Sequence, residues 1–506
     1  MLYFFIEIHM ENQIDISDQN NQQIGQYPVN QQNVIPQEKP KPKIHYLIIL
    51  LIVVLLILLL GFTGVYLFAL SANKQIKSFP NPTAPPTTVP TSAPSIPISS
   101  ITPSISNSNE SQAPPNETLV QAHNELGLKL LKDINLYPSP ENKEKGGNIF
   151  ISPISISLAL SMAYHGARGN TQQEMGRVLN YSSFSTSLIN GDSQKLLNIL
   201  NQSKDVTLEV ANSIWINEHT EDLQVKINPQ FVTDNTNYYL ADTKTLDFWQ
   251  PNADKIINSW VNEKTHAKIP DIVPSPIDKE VVMYIINAIY FKGYWAKEIQ
   301  FDKSLTQIRQ FYPDNKPIAS IQMMKQENEF LYQDNDQFQA VELPYGKKYG
   351  NFHMYVFLPK KNYLTRFFES LTMENLNTWR NEFSYRDGTL LLPRFKLELK
   401  YDLKDTLERL GMKEAFTDNA NFIEGITLAG SKPVKISKVL HKTFIDVNEE
   451  GSEAAAATAI EVPVAGGGGE PPKPFYMEVN RPFVFMIEDG NTNEILFLGL
   501  VKYLSN

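Results

Sequence analysis

Glu449-Glu450-Gly451-Ser452-Glu453-Ala454-Ala455-Ala456-Ala457-Thr458 places tiny side chains at four successive positions beside a glycine and three acids. Alanine is the best helix former, so an exposed helix is one reading of the run and a small-residue linker is another. The chain then continues Ala459-Ile460-Glu461-Val462-Pro463-Val464, which alternates in character. In strand geometry Ser452, Ala454, Ala456, Thr458, Ile460, Val462 and Val464 share one face, and Glu453, Ala455, Ala457, Ala459 and Glu461 share the other. The first face is small or apolar throughout, while the second carries both acids. Such a segment can enter a sheet with one face buried, and nothing bulky stops it from staying an exposed loop. Downstream, Gly466 to Gly469 are four glycines followed by Glu470-Pro471-Pro472, which reads as a flexible loop.

Working outward, ordered patterning occupies residues 117–506. Leu119, Ala122, Leu126 and Leu130 recur at helical spacing. Ser152-Pro153 reads as an N-cap followed by proline at the first helical position. Leu403, Leu407 and Leu410 form another apolar stripe, ended by Gly411. Strand-like runs fall at Met283–Phe291, Met354–Leu358, Phe395–Leu397, Val434–Val447 and Ile495–Val501. Helices dominate early and strands late, without an internal repeat, which predicts one α+β domain.

Ahead of it the composition changes three times. Residues 1–45 open on the apolar Leu2–Phe5, continue into the Gln- and Asn-dominated stretch Gln19–Gln37, and read as disordered. Tyr46 to Ala72 contains no charged residue, and Leu47–Leu60 is purely Leu, Ile and Val. A helical bilayer span needs about 20 apolar residues, so 46–72 reads as a transmembrane helix in contact with lipid, or as a long signal peptide if cut near Ser71. Lys39, Lys41 and Lys43 precede it, against Lys74 and Lys77 after it, which places the N-terminus in the cytoplasm. Residues 73–116 form a Pro/Ser/Thr-rich stalk whose stretch Ser78–Asn116 holds ten prolines. The domain is thus expected outside a membrane it is anchored to, or secreted if the segment is removed.

Of 506 residues 42% are hydrophobic, enough for a sizeable core. The net charge of −10 argues against a nucleic-acid partner. The absence of cysteine excludes disulfides, zinc-thiolate sites and a cysteine nucleophile. Eight histidines are scattered without paired ligand spacing, and no G-x-S-x-G elbow or phosphate-binding glycine loop is present. Catalytic residues, metal ligands and cofactors are therefore not expected, and neither is an enzyme.

His441-Lys442-Thr443-Phe444-Ile445-Asp446-Val447-Asn448, running into Glu449–Thr458, closely resembles the hinge region of serpins. Asn148–Ile156 looks like the start of that family's helix B. Gly166–Thr171 follows at the expected distance, and Asn287–Trp295 looks like the central strand of the main sheet. Leu392–Lys396, Leu410–Met412 and Asn480–Phe485 complete the set in order, so that the resemblance covers residues 117–506. It implies an α+β fold with three β-sheets, about eight to nine helices and an exposed reactive-centre loop. It also implies suicide inhibition: a serine protease cleaves the loop and is acylated, and the loop then inserts into the main sheet. By family spacing the reactive bond is Ala465–Gly466, which suits an elastase-like or subtilisin-like enzyme with a small primary pocket. The hinge comprises Glu449, Glu450, Gly451, Ser452, Glu453, Ala454, Ala455, Ala456, Ala457 and Thr458. Ser152, Ser155, Asn287 and His441 match the family's shutter, and Trp295 its breach; singly, each also reads as plain core packing. The expected inhibitor is a monomer. The rival reading is a non-inhibitory serpin-fold surface binding module or chaperone.

Overall fold

The computed structural model describes residues 117–505 apart from 203–205, 219–223, 315, 348, 429–433 and 453–472. The expected disordered segment, membrane span and stalk lie outside the described residues. So do the hinge from Glu453 to Thr458 and the Ala465–Gly466 bond. Among the described residues no helix is long and apolar enough to cross a membrane.

In chain order the strands are β1 (Ile149–Ile151), β2 (Val206–Asn217), β3 (Val225–Ile227), β4 (Asp242–Leu246), β5 (Met283–Tyr294), β6 (Gln307–Phe311), β7 (Ala319–Asp334), β8 (Phe338–Pro344) and β9 (Phe352–Pro359). They continue with β10 (Ser384–Pro393), β11 (Phe395–Asp402), β12 (Ile426–Leu428), β13 (Lys438–Asn448), β14 (Gly451–Ser452), β15 (Phe475–Glu478), β16 (Phe483–Asp489) and β17 (Glu494–Val501). They form a nine-stranded sheet in the order β1-β17-β16-β9-β8-β7-β10-β15 with β6 on β7, a six-stranded sheet β11-β13-β14-β5-β2-β4, and the pair β12-β3. The three sheets and mixed α+β character agree with the fold expected. Short helices such as Pro140–Glu144 add to the helix number, because five residues are too few to show an apolar period.

The strand β5 is buried at nearly every position, which explains its continuous apolar run. One face meets the main core; the other meets a second cluster that includes Trp215, Phe248, Ile257, Tyr284 and Ile286. A strand covered on both sides needs no polar alternation. The edge strand β11 does alternate, with Phe395, Leu397, Leu399 and Tyr401 inward. The apolar run Val434–Val447 predicts strand throughout, but pairing begins only at Lys438. Val434 and Ile436 are buried ahead of the ladder, and the N–H of Ile436 donates to Ala415 O at 3.0 Å. Their apolar character therefore serves packing rather than sheet pairing.

Beneath the six-stranded sheet runs the helix Pro153–Gly166, in which every residue but His165 is buried. It is buried all round, its serines included, and works as a central post. Ser152 caps it, its Oγ accepting from the Ser155 N–H at 3.3 Å, with Pro153 opening the first turn as its sequence implies. The helix Lys404–Leu410 likewise ends at Gly411, whose φ of +112° suits glycine. Chain connectivity takes the polypeptide from β14 in the six-stranded sheet to β15 in the nine-stranded one. There Phe475 stacks on Tyr332 with ring centroids 3.9 Å apart.

Candidate functional site

From Tyr284/Lys438 to Tyr290/Phe444, β5 and β13 lie side by side as a parallel pair. Beyond that point they splay, and β14 fills the opening, antiparallel to both. Gly451 stands opposite Tyr294 and Asn448, and Ser452 opposite Gly293 and Val447. The splay is held by Trp295, which is 1% exposed and stacks on Tyr345 at 4.6 Å between centroids. Its indole N–H donates to Asn448 O at 2.9 Å and its backbone N–H to Glu450 O at 3.0 Å. Gly451 has φ +151°, and a Cβ there would lie 2.2 Å from Gly293 O. Only glycine passes so close to the neighbouring backbone. The Ser452 side chain is fully buried, with Oγ 2.8 Å from the Tyr345 hydroxyl. Burial holds the Tyr345 phenol above its ordinary pKa, so this is a contact between two neutral hydroxyls.

The two glutamates before the glycine are anchored differently. Glu449 is 2% exposed; Thr306 Oγ1 donates to its Oε1 at 2.7 Å, and Arg394 Nε stands 3.5 Å from Oε2. Its backbone carbonyl accepts from the Phe301 N–H at 2.9 Å. Glu450 pairs with Lys303 at the surface. A buried carboxylate needs such partners to offset desolvation. Tyr345, Thr306 and Lys303 carry no sequence signal, since each acts through a contact more than 100 residues away in the chain. Arg394 lies within the Leu392–Lys396 motif, which does not itself reveal this contact.

Six residues down β5, roughly 20 Å at strand spacing, Asn287 and His441 face each other across the parallel pair. Ser152 N–H donates to His441 Nε2 at 3.1 Å, so that nitrogen is the acceptor. The proton therefore sits on Nδ1, which donates to Asn287 Oδ1 at 2.5 Å. Asn287 Nδ2 in turn donates to Ser155 Oγ and, at 2.6 Å, to Asn212 Oδ1. The four residues expected to act together here, Ser152, Ser155, Asn287 and His441, thus form one network at 0 or 1% exposure. Asn212 joins it unannounced by any motif. The network ties the central helix to both strands that would have to part if another strand were to enter. Among the described residues no group of three or more His, Asp and Glu side chains is placed to hold a metal ion.

Burial lowers His441 from 6.5 to about 3, leaving it neutral at physiological pH. The unfolded chain therefore binds a proton that the fold refuses between those two values. Stability from this group is whole above the unfolded pKa and falls as pH drops through the window, by ~1.4 kcal/mol per pH unit. Between pH 7.5 and 5, denaturant unfolding should show the wild type losing about 2 kcal/mol more than His441→Gln, which cannot titrate. Identical pH dependence in both proteins would contradict the neutral tautomer assigned here.

Residues 121–503 match the family model described as "Serpin (serine protease inhibitor)". An uncharacterized serpin-like protein of Methanosarcina mazei is 37% identical over 361 residues, 70% of this chain and 81% of that protein. Human Serpin B3 is 36% identical over 381 residues, 71% of this chain and 94% of its own length. Among solved structures, Tengpin, a thermophilic serpin in its native state, superposes with a TM-score of 0.67 at 29% identity, covering 78% of this chain and 98% of that one. With Gly451–Ser452 lodged in a splayed central sheet and a matching family model across most of its length, the chain belongs to the serpin family of serine protease inhibitors.

Proposed function

We propose that this domain inhibits a serine protease by a suicide mechanism. The attacking serine Oγ bonds to the Ala465 carbonyl carbon, the Ala465–Gly466 peptide bond breaks, and Gly466 leaves as a free amine. The freed segment then extends β14 down between β5 and β13, pulling the acylated enzyme with it before water can hydrolyse the ester. The observation that supports this reading is the wedge of Gly451–Ser452 already lodged between those two strands. Insertion would exchange one parallel ladder for two antiparallel ones, and parallel pairing is the slightly weaker of the two per residue. The shutter hydrogen bonds hold the gap closed meanwhile, giving a kinetic barrier ahead of a deeper well.

Incubating the protein with serine proteases should yield a covalent complex that survives denaturing gels, together with a peptide beginning at Gly466. Cleavage without any complex across an enzyme panel would leave only a serpin-fold binding module. Ala465 suits elastase-like or subtilisin-like primary pockets. Ala465→Arg should shift inhibition toward trypsin-like enzymes by roughly 100-fold, since charge pairing in a primary pocket dominates such discrimination. A released peptide with another first residue would overturn the bond assignment alone.

The same proposal has residues 46–72 retained as a membrane anchor, residues 73–116 as a stalk, and a monomeric domain facing outward. Protease added to intact cells should then release the domain by cutting between Ser78 and Asn116. Release only after lysis would reverse the topology, and a mature chain starting near Ala72 would make the segment a signal peptide.

A further inference from the structure

We propose that the cleft between the last turn of the helix Glu117–Leu136 and the helix Leu364–Ser370 binds a small amphipathic organic anion, independently of protease inhibition. The cleft has a volume of about 480 Å³. That is the size of an ordinary small-molecule site. One part of its wall is apolar, made by Leu500 at 1% and Phe368 at 9% exposure with Leu364 beside them. Leu136 stands 69% exposed on the rim, an apolar side chain left uncovered next to an open cavity.

Four charged side chains line this cleft, Lys132 and Lys502 together with Asp314 and Glu369. The two ammonium groups set the sign of the ligand. Lys132 Nζ has only the Glu369 carbonyl at 3.3 Å, and among the described residues no carboxylate comes within ion-pair distance of either ammonium. Burial pushes both pKa values down, and Glu369 and Asp314 only partly offset it. Both groups thus carry a desolvation cost that an incoming anion would relieve.

Further cationic groups lie beyond this cavity. A second one, of about 710 Å³, shares Asp314, Leu364 and Thr365 with it and brings Lys361 and Arg481 to the same face. Arg481 spends its Nε on Pro359 O at 2.9 Å, and among the described residues its terminal amino groups have no protein acceptor; burial lowers its pKa too. An apolar body on Leu136, Leu364 and Phe368 with one carboxylate or sulfonate toward Lys132 and Lys502 satisfies both halves of the site. A neutral or cationic molecule of the same shape satisfies only one.

The probe is 1-naphthalenesulfonate, with 1-naphthylmethylammonium as its cationic counterpart, titrated calorimetrically into the full chain. One sulfonate per chain is expected to bind, and the ammonium is not. Lys502→Met keeps the apolar stem and should weaken sulfonate binding about tenfold, as the loss of one charge-assisted hydrogen bond implies. Lys502→Arg should stay within about threefold of wild type. Leu136→Asp changes an exposed rim residue, so it should fold normally and still weaken binding. The proposal is overturned if Lys502→Met binds like wild type, if the ammonium binds as well as the sulfonate, or if no saturable site appears.

Discussion

Ser452→Arg is expected to abolish covalent capture of the protease while leaving cleavage of the loop as fast as in the wild type. The Ser452 side chain is fully buried against the Tyr345 hydroxyl, in a gap that Gly293 and Val447 close on either side. An unpaired guanidinium costs several kcal/mol to bury there. Each ~1.4 kcal/mol on the insertion barrier slows it tenfold, so hydrolysis of the acyl-enzyme should win by about a hundredfold or more. Because Gly451–Ser452 are already docked in the wild type, the variant should reveal itself before any protease is added. Expulsion of Gly451–Ser452 frees the Trp295–Tyr345 stack beneath it, and the emission of Trp295 should change. Glu453→Arg is the control. In the inserted strand, position 453 would point to the opposite face by alternation, beside Lys292 and Asp446, which are only partly buried. Equal covalent-complex yields for wild type and Ser452→Arg would rule out the insertion mechanism for this chain.

That experiment joins a feature readable from sequence to one that was not. The small-residue face of Ser452, Ala454, Ala456 and Thr458 is visible because strand alternation is a local period of two. The Ser152 cap, the Leu403/Leu407/Leu410 stripe with its terminal Gly411, and the unbroken apolar run of β5 are local for the same reason. What no local period encodes is which strands lie together. β5 and β13 are separated by more than 140 residues and pair in parallel, and Tyr345 reaches Ser452 across 107. Trp295 was recognised by its place in a motif, whereas its stacking partner was not, because a tyrosine following Pro344 in an ordinary strand end announces nothing. The docking of Gly451–Ser452 in the intact chain is of this second kind. Composition left strand and loop equally open, and only the splay held by Trp295 and the close pass at Gly293 decide for the strand.

Protein cleaved in the loop is expected to melt on the order of 20 °C above the intact chain, the larger of the two effects and the more direct. The existing register shows where the loop would go. Ser452 is opposite Gly293 and Val447. Advancing six residues in the loop and retreating six in each neighbour brings Thr458 between Asn287 and His441, which are now partners across the parallel pair. Three more bring Glu461 between Tyr284 and Lys438, where that pair begins. Both neighbours agree on each position, so one strand fits the whole gap without a bulge. Roughly ten added ladder bonds at a net ~1 kcal/mol each give about 10 kcal/mol. At about 2 °C per kcal/mol for a large domain, this is the shift expected. A metalloprotease that cuts between 460 and 470 supplies the cleaved form without forming an acyl intermediate, and scanning calorimetry compares it with the intact chain. Thr458→Lys makes the measurement specific to the register. Its ammonium would be forced between two residues at 1% exposure or less, next to a histidine that burial keeps neutral, so most of the gain should vanish. If cleaved and intact wild type melt together, the gap between β5 and β13 stays shut after cleavage, and the chain is a serpin in fold without the transition that inhibition requires.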